Sequence, residues 1–137
     1  DELTEVILGI IISTGFVSNF VQVDYTTDLA HAIYNGFTVL PSTEENGHLH
    51  GEVVSYGILV MLTIDKQYAE RDTLYKFSRS IGLPTRLADI HAKAEDLAKV
   101  TAKALAGIDV RVYPYTVTEQ MIVDGIMELE AYDEKIR

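Results

Sequence analysis

Residues 48–62 read HLHGEVVSYGILVML, and the reading of this run decides the fold. Two histidines and a glutamate stand at the mouth of a stretch that is otherwise almost wholly apolar. The apolar part is read as one buried helix, His50–Ile64, because it is too short to cross a bilayer. A buried helix needs no imidazoles at its entrance, whereas a metal or substrate site does.

Working outward, the periodicity is helical almost throughout. Upstream, Leu3–Ser13 carries branched aliphatics on all sides and reads as a buried helix. Gly15–Asp24 mixes β-branched residues with turn formers and has no firm assignment. Thr26 or Thr27 is placed to cap a helix that begins near Asp28 and stops at Pro41. PSTEENGH, residues 41–48, is a loop by composition. Downstream, Lys66–Ser80 reads as a helix closed by Gly82 and Pro84. LADI, residues 87–90, makes a short helical turn, and alanine-rich Ala92–Ala106 is helical by propensity. Pro114 keeps Gly107–Thr116 extended or looped. Thr118 caps a last helix to about Tyr132, with Met121, Ile122, Ile126 and Leu129 on one face. The sum is one all-α bundle of five to six helices.

With 137 residues the chain is long enough for one domain with its own core. A net charge of −10 argues against a phosphate backbone and against an anionic membrane surface as partner. The apolar runs Val6–Ile12 and Ile58–Leu62 are too short to span a membrane, so no membrane is expected. There is no cysteine, which excludes disulfides and thiolate metal sites. A cytoplasmic setting is the default expectation, since no secretory signal is visible.

The chain has four histidines, His31, His48, His50 and His91. A single histidine is ordinarily a surface or satisfied core residue, and His91 and His48 are read that way. His50 stands at a helix N-terminus, whose positive end suits the neutral imidazole that binds metals. Gly51 beside it leaves room for approach. His31 lies between alanines in LAHA, again with small neighbours. A short connection makes neighbouring helices antiparallel, so the two rings meet only if the helices cross steeply or the loop folds back. A two-histidine site would also be incomplete, because a catalytic zinc takes three protein ligands. Glu52 is either that third ligand or an acid complementing the helix dipole. Ser55 lacks the glycine spacing of a nucleophile elbow. No Gly-rich phosphate loop occurs, so no cofactor-binding residue is assigned.

Three segments carry a resemblance. LAHAIYNGFTVLP (29–41), HLHGEVVSYGILVMLTID (48–65) and SIGLPTRLADI (80–90) resemble the C-terminal helical domain of the glycerol dehydrogenase branch of the iron-containing alcohol dehydrogenase superfamily. The corresponding family segments are HAIHNG, HGEKVAFG and a GLP-x-x-L element, in the same order. The resemblance implies the helical domain of a dehydroquinate synthase-like fold, with His31 and His50 as ligands of a divalent metal, Zn²⁺ ahead of Fe²⁺. It implies NAD as the redox partner of the full-length enzyme, a small polyol or alcohol as substrate, and a homo-oligomer. The family's aspartate ligand and dinucleotide-binding domain lie upstream of anything present. Residues 1–137, starting at Asp1, are therefore expected to be a C-terminal metal-binding fragment, inactive alone. Tyr34 replaces the second histidine of HAIHNG, which leaves open a 2-oxo acid or other carbonyl as the substrate. A non-catalytic helical oligomerisation domain is the reading from a different class.

Overall fold

The structure, a computed structural model, describes residues 1–136; side chains are described at all of these but Asp24 and Glu44, and Arg137 lies outside the described residues. Seven α-helices and no strand are found among them. They are α1 (Glu2–Phe20), α2 (Leu29–Phe37), α3 (Pro41–Glu45), α4 (His50–Ile64), α5 (Tyr68–Ser80), α6 (Leu97–Leu105) and α7 (Glu119–Ile136). Short 3₁₀ turns occur at Val23–Tyr25, Leu87–Ile90 and Ala94–Asp96. The all-α expectation holds, with one helix more than the five to six read from the sequence.

The body is built from α2, α4, α6 and α7, each of which presents an apolar stripe at helical spacing. On α6 the buried residues are Leu97, Val100, Thr101 and Ala104. On α7 they are Ile122, Gly125, Ile126, Leu129 and Asp133. Met121, expected on that face, is only partly buried. Helix α4 sits centrally and buries Val53, Tyr56, Gly57, Leu59, Val60 and Thr63. Each large aliphatic taken out of water there contributes about 1.5–3 kcal/mol. Thr63 meets its own burial cost by donating its hydroxyl to the Leu59 carbonyl at 2.8 Å.

Glycines set how closely these helices approach. A Cβ at Gly57 would lie 2.5 Å from the Ala30 carbonyl oxygen, so α4 crosses α2 with backbone against backbone. Gly36 meets the Val100 carbonyl at the same distance, which brings α6 onto the other side of α2. Helix α5 ends in a Schellman cap. Gly82 takes φ +79, and the amides of Gly82 and Leu83 donate to the carbonyls of Arg79 (3.3 Å) and Ser78 (2.9 Å).

A polar junction ties the far end of α7 to α5 and the loop after it. The buried Asp133 carboxylate accepts the Tyr75 hydroxyl and the Thr85 hydroxyl. One turn earlier, Glu130 accepts the Leu87 amide at 2.8 Å. Desolvation pushes the Glu130 carboxyl above its ordinary value, and the amide pulls it partly back.

The N-terminal third departs from expectation. Leu3–Ser13 is helical but has no buried residue, and the helix continues through Gly15 to Phe20, with a π-helical turn at Gly9–Ser13. The two short runs read from the sequence thus join into a 19-residue helix. By length and composition alone it meets what a bilayer span requires, which corrects the premise that the apolar runs here are too short. Residues 41–45 are also helical rather than looped, with Pro41 at the first helical position, where its missing N–H costs nothing.

Candidate metal centre

Helix α2 begins one residue after Asp28, whose carboxylate caps it by accepting the His31 amide at 3.2 Å. Asp28 itself is the cap, in place of the threonines before it. The same oxygen lies 3.3 Å from His31 Nδ1. An ionised carboxylate only accepts, so Nδ1 carries the proton and the Nε2 lone pair is left free. This is how a metal-binding imidazole is held by an outer carboxylate. The His31 side chain remains about one-third exposed, at 34%.

His50 is the first residue of α4. Its ring lies 5.6 Å from that of His31, centroid to centroid, with the planes tilted by 43°. The close crossing of α2 and α4 at Ala30 and Gly57 lets this happen, which answers the geometry that spacing left open. Tyr34, one turn beyond His31, places its ring edge-on to His50 at 4.2 Å and 70°. Tyr34 also lines a cavity of 240 Å³ with Thr38, Thr43, His48 and Val53. A Cβ at Gly51 would meet nothing within 4 Å, so that side of His50 is open.

Glu52 turns elsewhere. Its Oε2 accepts the Leu49 amide at 3.1 Å and lies 3.4 Å from His48 Nδ1, so its role is that of an N-terminal acid. The Ser55 hydroxyl donates to the Glu52 carbonyl at 2.6 Å. Among the described residues no group of three histidine, aspartate or glutamate side chains is placed to hold a metal ion. His31 and His50 therefore stand as a pair of neighbouring rings from two helices, whereas a catalytic zinc takes three protein ligands.

His91 is exposed, as expected of a surface histidine, but its ring meets that of His48. His48 Nε2 and His91 Nδ1 are 2.8 Å apart. The His48 side chain is only 13% exposed, against the expectation of an open loop. Nothing in the local pattern links two residues 43 positions apart.

No family model matches the chain. It is 46% identical to a glycerol dehydrogenase of Thermotoga maritima over 79 residues, covering 55% of this chain and 21% of that protein. It is 36% identical to hydroxycarboxylate dehydrogenase A of Escherichia coli over 108 residues, covering 75% of this chain and 29% of that one. A crystal structure of a probable glycerol dehydrogenase from Sinorhizobium meliloti superposes with a TM-score of 0.72 at 33% identity, over 80% of this chain and 32% of that chain. In each case the chain spans about a third or less of the relative's length.

Proposed function

The chain belongs with the glycerol dehydrogenase-like proteins, and from that premise we propose that residues 1–137 are the C-terminal, metal-binding part of an NAD-dependent polyol or alcohol dehydrogenase. His31 and His50 are two of the metal's protein ligands. The observation that carries this reading is the approach of two imidazoles from different helices, one of them held at Nδ1 by a carboxylate. His31 and His50 would hold a divalent ion, Zn²⁺ ahead of Fe²⁺, which would supply Lewis acidity toward a substrate hydroxyl, with NAD⁺ as the hydride acceptor of the full-length enzyme.

The chain's own residues do the positioning. Asp28 fixes the His31 tautomer and ring. Tyr34 braces the His50 ring edge-on, and Gly51 keeps the approach open. The third ligand and the nucleotide site belong to sequence outside these residues, so the chain alone does not turn over substrate. After chelation of the full-length protein and titration with Zn²⁺, His31→Ala and His50→Ala should each lower affinity at least about tenfold and abolish activity. Unchanged affinity and rate in both variants would reject the reading.

The substrate has two candidates. The relatives named glycerol dehydrogenase support a polyol, while Tyr34 standing where the family pattern has a histidine, and one relative named for hydroxycarboxylates, make a 2-oxo acid or other carbonyl the alternative. A substrate panel decides, and activity confined to oxo acids would exclude glycerol. A non-catalytic role as an assembly domain is favoured by the exposed α1. Light scattering tests it: a strictly monomeric protein at high concentration rules it out.

A further inference from the structure

We propose that His48 and His91 form a second metal site, separate from His31 and His50, for a divalent ion of the Cu²⁺ or Ni²⁺ kind. The bound ion would staple the loop ahead of α4 to the turn that follows Leu87–Ile90. No part of this depends on the redox reading above.

Orientation comes first. Glu52 Oε2 faces His48 Nδ1 at 3.4 Å and is itself held by the Leu49 amide. The carboxylate accepts, so the His48 proton sits on Nδ1 and the Nε2 lone pair points at His91. A carboxylate behind an imidazole is the arrangement that presets a metal ligand. His91 comes from the other side with its backbone in the left-handed region, φ +57 and ψ 30, a conformation uncommon outside glycine. In the metal-free pair His91 donates Nδ1–H to His48 Nε2. On binding, that proton moves to His91 Nε2 and both facing nitrogens are free.

Ligand chemistry and distance then bear on the metal. With metal–nitrogen bonds of about 2.0–2.1 Å, two tetrahedral ligands sit about 3.3 Å apart and two cis ligands at a right angle about 2.9 Å apart. The 2.8 Å observed is the length of a hydrogen bond between the two rings, and it leaves both nitrogens close enough to share one ion once that bond is given up. Imidazole nitrogens hold Ni²⁺ and above all Cu²⁺ more tightly than the earlier divalent metals, and Cu²⁺ more tightly than Zn²⁺.

The surroundings allow the remaining positions to be filled by water. His91 is exposed, and a 420 Å³ cavity opens beside His48 and Glu52, bounded by Arg79, Thr85 and Asp89. Among the described residues that line it Arg79 is the one fixed cation, with Glu52 facing it, while Asp89 is paired with Arg86 at 2.8 Å. The chain's net charge of −10 adds a general attraction for cations.

The test is Cu²⁺ titration of the full-length protein, read by calorimetry and by electron paramagnetic resonance. It is run in wild type and in a His31→Ala/His50→Ala background. In that background one Cu²⁺ per chain should still bind, with hyperfine coupling to two nitrogens. Adding His48→Ala or His91→Asn should weaken it at least about tenfold and reduce the coupling to one nitrogen. Asparagine tolerates the left-handed backbone, so His91→Asn removes the ligand while keeping the turn. Cu²⁺ should also raise Tm in the background protein and not in its His91→Asn derivative. Equal affinity and spectra across these variants, or no binding in the background, would overturn the proposal. Equal stoichiometry in wild type and background would instead count against His31 and His50 and leave this site standing.

Discussion

Helices α1 and α4 are both strongly apolar, yet one lies outside the body and the other at its centre. Helix α4 buries six residues, whereas α1 buries none. Both contain glycine, and the glycines tell the difference. Gly57 of α4 is filled by the Ala30 backbone, but a Cβ at Gly9 or Gly15 of α1 would meet nothing within 4 Å. Apolarity makes a helix burial-prone; a matching surface decides whether it is buried.

The contrast breaks most severely at Gly57. In Gly57→Val the first carbon already falls on the Ala30 carbonyl, which cannot rotate aside as a side chain can. A loss of about 3 kcal/mol or more in denaturant unfolding is expected, with separation of the α2 and α4 N-termini and weaker metal binding. Asp133→Ala comes next. It removes the carboxylate that accepts the buried Tyr75 and Thr85 hydroxyls and should cost about 1–3 kcal/mol. An N-cap change in α1, Asp1→Ala, should lower helix content there and leave the body's unfolding midpoint alone. A shifted midpoint would mean that α1 is coupled to the body after all.

Smaller effects sharpen the same distinction. Gly15→Ala should favour the α1 helix by about 1 kcal/mol, since propensity alone acts where nothing packs; circular dichroism reads the gain. Glu130→Gln probes the body. Burial raises the Glu130 carboxyl above its ordinary 4.5, so ionisation costs stability that is intact below that pH and lost as pH rises through the shifted value. Glutamine still accepts the Leu87 amide and cannot ionise. Its Tm should therefore exceed wild type slightly at pH 7, and the gap should close below about pH 4.5.

Much of the fold is legible in the sequence because each element carries its own punctuation. The bounds of α4 follow from its apolar run, and the end of α5 from Gly82, whose positive φ the cap requires. Two stretches misread for local reasons. Ser13, Thr14 and Gly15 look like breakers, but each costs a helix at most about 1 kcal/mol and the helix runs through. Pro41 ends one helix in the reading and begins another in the structure, since proline suits both places. The site divides along the same line. His31 and His50 are identified by motif, but their convergence depends on a crossing that no spacing encodes. The carboxylates behind His31 and His48 stand three and four residues away, a spacing the sequence does carry, whereas the His48–His91 contact is a property of tertiary structure.

The crossing at Gly57 makes the separation of the His31 and His50 rings a consequence of main-chain approach. Those imidazoles inherit their gap from how far one carbonyl ridge sinks into its neighbour. Widening or narrowing that gap would thus begin two turns away, at position 57, with both rings left untouched.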